Sequence, residues 1–305
     1  MTNRIVITGG TGFLGSSLVK DLIGIGYKCI VLSRTPSKYQ NTNEIVYEKW
    51  IDDPEYLAKY ISNSYAVINL AGSPIAGKRW TKKYKDELIN SRVEVTKSIV
   101  QAINLCAYKP KLLLSSSASG YYGSRGSEIL TEKSGKGSTF LSDVCEKWEK
   151  ATEELSTEVE LKIFRTGVVL HPNDGALKKI LIPIRYFVGG KIGTGKQFIP
   201  WIHIADWKRF LIFALQNKTD DEIYNLSAPN AETNEVLTKL LGKIYKRPTV
   251  FKVPIFVLRI ILGELSSVIL ESQRMEPENI KKTKFIYKYD LLENALKDLK
   301  NFQKK

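Results

Sequence analysis

The chain has 305 residues, of which 43% are hydrophobic and 26% are charged, and its formal net charge is +14. These proportions are ordinary for a soluble globular protein, and the length suffices for one large domain or for a nucleotide-binding domain with a smaller partner. The positive charge would suit nucleic acid or an acidic membrane. However, the lysines are spread along the whole chain without an aromatic-interleaved basic motif, so we expect no nucleic-acid partner.

Cysteine usage and hydropathy predict the compartment. Cys29, Cys106 and Cys145 lack the spacing of a metal site or a redox motif, which favours a reducing environment. The N-terminus leads directly into a strand, without the regions of a signal peptide. The most apolar later stretch, from Val253 to Leu262, is too short to span a bilayer. We therefore expect a cytoplasmic protein with no membrane partner and no metal.

The first stretch, residues 5–19, predicts a buried strand, a glycine turn and a helix. Gly9 allows a tight turn, Gly12 removes a side chain where a phosphate must come close, and Gly15 lets the helix pack tightly. The free N–H groups and the dipole at the start of this helix suit a pyrophosphate. The alternative is a chance glycine loop in another α/β protein.

The second predicted strand, from Tyr27 to Leu32, indicates which dinucleotide would bind. Enzymes that use NAD usually have an acidic residue at the end of this strand. Here the strand ends in Ser33 and Arg34, and a guanidinium beside a hydroxyl suits a 2′-phosphate. The sequence therefore favours NADP over NAD. A solvated arginine in a loop is the alternative.

Strands that alternate with helices predict an α/β, Rossmann-like doubly wound parallel sheet with right-handed crossovers. We expect its further strands at Glu44–Trp50, Ala66–Gly72, Lys111–Ser116, Leu161–Leu170 and Ile223–Leu226. We expect helices at residues 16–25, through Glu87 to Ala107, and at Phe140–Leu155. A further helix would run from Asn234 to Lys243, with Asn234 as its cap. The dinucleotide-binding domain would comprise residues 1–172, with 201–230 returning to it. Residues 173–200 and 231–305 would form a smaller, mostly helical substrate domain.

The end of the fifth predicted strand has the composition of an active site. Hydroxyls, small residues and two tyrosines follow one another from Ser115 to Gly123, at the strand edge where α/β proteins bind their substrates. The helix through Glu87 and Arg92 would border the same cleft, although a surface ion pair between these two residues is an alternative. We expect His203 to structure a chain crossover rather than to act as a general base.

These stretches together resemble the extended short-chain dehydrogenase/reductase superfamily, and more closely its atypical "epimerase family protein" branch. The matching stretches are Thr8–Gly15, Ser33-Arg34, Asn69–Gly72, Arg79-Trp80, Ser91-Arg92, Gly120–Tyr122, Arg165–Leu170 and Pro200–Asp206. The tail from Arg247 resembles the C-terminal domain of that branch. The resemblance implies that NADP is held by Gly9, Thr11, Gly12, Phe13, Leu14, Gly15, Ser33, Arg34, Leu70, Ala71, Gly72, Glu87 and Arg92, with Ser119 near the nicotinamide.

The larger family uses a Tyr-x-x-x-Lys pair, in which the tyrosine moves a proton and the lysine lowers the pKa of that tyrosine. No tyrosine here has a lysine four positions later, and Leu141 and Cys145 stand where the pair is expected. Ser117 remains as a substrate-side hydroxyl, and Tyr121 or Tyr122 would have to replace the acid/base. Two functions stay open: an NADP-dependent oxidoreductase or epimerase-like enzyme with an unknown small-molecule substrate, which could be a homodimer, or a catalytically silent NADP(H)-binding sensor or partner-docking module.

Overall fold

The computed structural model describes residues 2–302. Its central sheet has seven parallel strands: β1 (Arg4–Thr8), β2 (Lys28–Ser33), β3 (Ile45–Lys49), β4 (Ala66–Asn69), β5 (Leu112–Ala118), β6 (Glu160–Thr166) and β7 (Ile223–Leu226). The helices are α1 (Phe13–Gly24), α2 (Pro54–Ile61), α3 (Lys82–Leu105), α4 (Phe140–Lys150), α5 (Gly175–Arg185), α6 (Ile204–Gln216), α7 (Asn234–Tyr245), α8 (Ile255–Leu262), α9 (Ser267–Leu270), α10 (Glu278–Lys281) and α11 (Leu292–Phe302). Short 3-10 helices lie at Pro36–Lys38, Ser119–Tyr122 and Gly263–Ser266.

The strand order is β7-β6-β5-β4-β1-β2-β3, which confirms the predicted doubly wound fold. The order reverses between β1 and β4, and ligands of such sheets bind at the carboxyl ends of the strands beside that reversal. Successive side chains of β1 alternate between two cores, because strand residues have a period of two. Ile5 and Ile7 belong to the core that also contains residues of α1, α6 and α11, whereas Val6 belongs to the core that contains residues of α2 and α3.

Several predicted elements have other bounds in the structure: the helix expected at Phe140–Leu155 ends at Lys150, and the strand expected at Ala66–Gly72 ends at Asn69. The strand expected at Leu161–Leu170 is two strands, because Gly167 turns the chain closely against the backbone of Pro200. After Gly167, the short strand Val168–Leu170 pairs with Trp201–His203 instead of continuing β6. Thr233, not Asn234, caps α7, since its hydroxyl accepts a hydrogen bond from the Val236 amide. The Asn234 side chain accepts from the Ile192 amide at 2.8 Å instead.

His203 has a structural role as the N-cap of α6. It is 3% exposed, its Nδ1 accepts a hydrogen bond from the Ala205 amide at 3.0 Å, and its ring packs against Tyr289 at an angle of 35°. Its Nε2 lies 3.3 Å from the Asp298 carboxylate. Burial nevertheless lowers the pKa of His203 to about 4, so the imidazole is neutral at physiological pH and caps the helix.

The C-terminal segment folds back onto the first part of the chain through buried polar groups. Glu132 Oε1 accepts hydrogen bonds from the amides of Asn225 and Asn279, and Asp206 accepts from the amides of Lys288 and Tyr289. The remaining short strands lie at Ile129–Leu130, Gly190–Ile192, Phe198–Ile199, Glu232–Thr233, Phe251–Val253 and Arg274–Met275. Within residues 2–302, no helix has both the length and the apolar character needed to cross a membrane.

Candidate functional site

The glycine turn between β1 and α1 is shaped by close backbone approaches. Gly9 has a φ of +69°, and a Cβ there would lie 2.5 Å from the Leu70 carbonyl oxygen. A Cβ on Gly15 would collide with the backbone of Gly9 and Gly10. The turn therefore lies directly against the end of β4 and the first turn of α1. A side chain at Gly9 would push the turn away from the end of β4, and a side chain at Gly15 would push the turn away from α1.

The start of α1 has the features of an anion site. Gly12 is its N-cap and offers no side-chain cap, and the first turn holds no acidic residue. Thr11, Phe13 and Leu14 are half-buried around this start, and Gly12 is exposed. First-turn amides without side-chain acceptors, together with the helix dipole, favour a phosphate at this position.

Arg34 stands next to this turn because β2 is the neighbour of β1 in the sheet. Its side chain is exposed, and its backbone carbonyl accepts a hydrogen bond from Lys49 Nζ at 2.8 Å. Ser33 is buried, and its hydroxyl accepts from the Thr35 amide at 3.2 Å. The serine therefore shapes the turn, while the side chain of Arg34 is left exposed at the end of β2.

Arg92 lies inside the protein, so the surface ion pair considered for Glu87 and Arg92 is wrong. The guanidinium donates to the carbonyls of Leu88 and Ser73, both at 2.9 Å, and burial lowers its pKa. Glu87 is exposed and accepts a hydrogen bond from the Ser73 hydroxyl at 2.9 Å. No carboxylate forms an ion pair with Arg92 within the described chain. The positive charge of Arg92 is therefore stabilised by the two backbone carbonyls and by the ring of Trp148 in α4.

The strand end at Leu70, Ala71 and Gly72 has two roles. Leu70 and Ala71 are half-buried beside the glycine turn, where they can border a bound nucleotide. Gly72 is exposed, but a Cβ there would lie 2.9 Å from Arg92 Cζ. The glycine therefore makes room for the buried guanidinium, a role that the sequence did not reveal.

Asn69 is a polar hub that sequence reasoning missed. Its Oδ1 accepts hydrogen bonds from the Thr8 hydroxyl and the Ala71 amide, and its Nδ2 donates to the Thr96 hydroxyl. Thr96 also accepts a bond from the Trp148 indole at 3.1 Å. The network ties β1, β4, α3 and α4 together at the topological reversal. An asparagine at the end of an otherwise apolar strand was the available signal.

Ser117, at the end of β5, is 3% exposed and donates a 2.6 Å hydrogen bond to Glu149. Glu149 also forms a two-point ion pair with Arg165, with N–O distances of 2.9 and 2.7 Å. The Arg165 guanidinium lies 3.5 Å from the centre of the half-buried Tyr121 ring. These contacts hold Tyr121 in place, and half-buried Ser119 opens the 3-10 helix that carries it.

Tyr122 is fully buried, so we do not retain it as a proton donor or acceptor. Its hydroxyl donates to Asn225 Oδ1 at 2.7 Å and accepts from Arg165 at 3.0 Å, and burial raises its pKa to about 12. Its ring packs on Leu130 and Met275. A hydroxyl enclosed in this way joins the 3-10 helix to β6 and β7 and does not face a substrate.

A cavity of about 590 Å³ opens between the start of α4 and the α8–α9 segment. Its lining combines aromatic rings, hydroxyls and charges, from Trp80, Ser124, Thr139, Phe140, Arg259, Gly263, Glu264, Ser266, Ser267, Leu270 and Glu271. Burial raises the pKa of Glu271 to about 7, and its carboxylate accepts one hydrogen bond, from Gln273 at 3.3 Å. Among the residues of this cavity, Glu271 is therefore the group best suited to exchange a proton near neutral pH.

Comparisons with known proteins identify the family. The model described as "NAD dependent epimerase/dehydratase family" matches residues 5–227, and a domain of unknown function, DUF1731, matches residues 253–299. The chain belongs to the epimerase family. A Staphylococcus haemolyticus epimerase family protein is 35% identical over 97% of this chain and 98% of its own length. An Arabidopsis thaliana homologue, described as chloroplastic, is 33% identical over 96% of this chain and 85% of its own.

A solved structure of a human epimerase family protein, isoform 2, with NADPH has a TM-score of 0.88 to this chain. The two are 29% identical, over 98% of this chain and 99% of the human one. The recognised family and the predicted C-terminal domain of the epimerase branch are thus confirmed.

This epimerase family protein has no acid/base pair on α4. Leu141 and Cys145 both face Gly120, where a Cβ would lie 3.1 Å from Leu141 Cβ and 3.6 Å from Cys145 Sγ. Burial raises the pKa of Cys145 to about 12. Leu141 also packs with Trp80, Tyr84, Leu88 and Leu265. Leu141 and Cys145 therefore form an apolar contact with Gly120, and Leu141 extends it to Leu265 of the C-terminal segment.

Proposed function

We propose that this protein binds NADP(H) across the carboxyl ends of β1, β2 and β4. The observation that carries the proposal is the start of α1, which has no side-chain cap, together with the exposed Arg34 at the end of the neighbouring strand β2. The pyrophosphate would lie on the first-turn amides, and Arg34 would take the 2′-phosphate. The NADPH in the related human structure supports this choice of cofactor.

Calorimetric titration with NADPH and with NADH tests this proposal. Arg34→Ala should weaken NADPH binding about tenfold or more, because a charge-assisted hydrogen bond contributes roughly 1.5–3 kcal/mol. NADH, which lacks the 2′-phosphate, should bind wild type and variant alike. Lys20→Ala removes an exposed positive charge from α1 and should leave both affinities unchanged. Wild-type protein that binds neither nucleotide would reject the proposal.

The function that we favour for the bound nucleotide is hydride transfer with a small carbonyl or hydroxyl compound. NADPH supplies the hydride when it is bound. Tyr121 and the Ser119 hydroxyl lie at the end of β5, and Glu271 offers a proton from the cavity beside α4. Ser117 would position Glu149, and through it Arg165 and Tyr121, rather than touch substrate.

The second candidate is a catalytically silent module that senses NADP(H) or docks a partner. The apolar contact of Leu141 and Cys145 with Gly120 favours it. A panel of sugar nucleotides, ketones and aldehydes, followed by NADPH absorbance, separates the two. Turnover that falls in Tyr121→Phe or Glu271→Gln, with NADPH affinity retained, supports the enzyme. Tight NADPH binding without turnover on any compound supports the silent module.

The proposal also covers the oligomeric state of the protein, its location in the cell and the roles of its two domains. A cytoplasmic location and a homodimer are the simplest expectations, and size-exclusion chromatography with light scattering tests the second. Residues 1–172 with 201–230 would hold the nucleotide. Residues 173–200 and 231–305 would supply the substrate side, to which the cavity beside α8 and α9 belongs.

A further inference from the structure

Exposed apolar side chains are concentrated around α8. Phe256, Ile260 and Ile261 are 65%, 72% and 67% exposed, and none of the eight residues of this helix is buried. Single apolar residues on a surface are ordinary, but a contiguous set marks an interaction site. The sequence of α8, with seven apolar residues and Arg259, is that of a helix that gains stability by burial against something outside the chain.

The same surface continues from α8 into neighbouring chain segments. The strand Phe251–Val253 leads into α8 and pairs with Gly190–Ile192, which one buried glycine, Gly189, separates from the exposed segment 186–188. Ile255 reaches the end of this pair, since a Cβ on Gly193 would lie 2.9 Å from its side chain. We define the α8 surface by its exposed apolar residues: Tyr186, Phe187, Val188, Val250, Phe251, Ile255, Phe256, Ile260 and Ile261.

The two chain segments that contribute the α8 surface are basic, and the carboxylates next to them, Glu235 and Glu264, are paired with Lys191 and Lys85. Residues 175–205 contain five lysines or arginines and no Asp or Glu, and residues 245–263 contain four and none. Arg247 lies 4.4 Å from the centre of the Phe187 ring, and exposed Lys252 separates Phe251 from Val253. An apolar surface within a basic rim is complementary to a layer that is apolar inside and negative outside.

We propose that the α8 surface docks on an anionic lipid membrane. The apolar side chains of α8 would enter the boundary between headgroups and acyl chains, and the lysines and arginines would contact lipid phosphates. A second copy of the chain is disfavoured, because two-fold pairing of this surface would set its basic residues against themselves. The sequence predicted no membrane partner because the apolar run is too short to span a bilayer. That limit does not apply to a helix lying in the interface plane.

Vesicle flotation of the full chain tests this proposal. Wild type should float with vesicles of 70% phosphatidylcholine and 30% phosphatidylglycerol, less so as salt rises, and not with phosphatidylcholine alone. Phe256→Ser combined with Ile260→Ser and Ile261→Ser should lower partitioning at least tenfold. Lys246→Gln with Lys252→Gln should lower it for anionic vesicles. These positions are exposed, so thermal unfolding should be unchanged in every variant.

A matched control replaces exposed apolar residues elsewhere: Leu105→Ser, Tyr108→Ser and Ile286→Ser, which are 58%, 73% and 77% exposed in wild type. This triple variant should float like wild type. The proposal fails if wild type does not float with anionic vesicles, or if the α8 triple variant floats equally well. It also fails if the surface instead mediates a dimer that the α8 triple variant dissociates, or binds an acidic protein, without flotation.

Discussion

The Thr8 hydroxyl donates a 2.7 Å hydrogen bond to Asn69 Oδ1, and both residues are almost wholly buried at the ends of adjacent strands. This bond joins β1 to β4 at the point where the strand order of the sheet reverses. The glycine turn begins immediately after Thr8, and the segment Leu70–Gly72 begins immediately after Asn69. The geometry of the proposed nucleotide site therefore depends on a bond between two buried side chains.

Asn69→Leu should destabilise the protein by about 2–4 kcal/mol, since it removes partners from buried Thr8 and Thr96 and from the Ala71 amide. Urea unfolding measures the change. Thr8→Val should cost less, because it removes one bond only, and in the double variant the two effects should not add. Additive losses would show that Thr8 and Asn69 act independently.

Gly15→Ala should destabilise the protein by more than about 2 kcal/mol and abolish NADPH binding, because its methyl group would meet the backbone of Gly9 and Gly10. Gly24→Ala is the matched control on the same helix. No atom lies within 4 Å of the position of its new Cβ, so its effect should stay within about 1 kcal/mol, the scale of helix propensity. Equal losses in both variants, by calorimetry and urea unfolding, would contradict close packing at Gly15.

The parts of the molecule that the sequence predicted well are those set by local patterns. Apolar strands and glycine spacing placed β1, the turn and α1 correctly, and Ser33 and Arg34 lie at the end of β2 as expected. Tyr122 is different: its hydroxyl meets Asn225, which lies 103 residues later in the chain. No local pattern tells a buried tyrosine from one that lines a cleft, and neither the carbonyl partners of Arg92 nor the cavity around Glu271 could be inferred from neighbouring residues.

Tyr122→Phe should lower the free energy of unfolding by about 1–2 kcal/mol, because Asn225 and Arg165 each lose a buried partner. NADPH affinity should stay the same. Tyr121→Phe is the comparison, since no hydrogen bond of its hydroxyl is seen among the described residues and its stability should change by less than about 0.5 kcal/mol. A Tyr122→Phe protein with wild-type stability but altered turnover would instead indicate that Tyr122 takes part in the reaction.

Glu271 should give the protein a distinctive dependence of stability on pH. Burial raises the pKa of this carboxyl from 4.5 to about 7, so the folded state keeps a proton that the unfolded state loses between these values. The free energy of unfolding should therefore fall as pH rises through that window. A shift of this size would correspond to roughly 3 kcal/mol in an unscreened site. Because Glu271 is only partly buried, we expect about 1 kcal/mol.

Urea unfolding of wild type and Glu271→Gln at pH 5, 6, 7 and 8 measures how much Glu271 contributes to the pH dependence of the free energy of unfolding. The variant should be more stable than wild type at pH 8, and the difference should vanish towards pH 4.5, where both carry a neutral side chain. Glu153→Gln, at an exposed carboxylate, controls for the loss of one negative charge. A wild type that gains stability over Glu271→Gln as pH rises would mean that an unrecognised partner stabilises the carboxylate. The cavity would then contain no proton donor near neutral pH, and the case for a silent NADP(H)-binding module would strengthen.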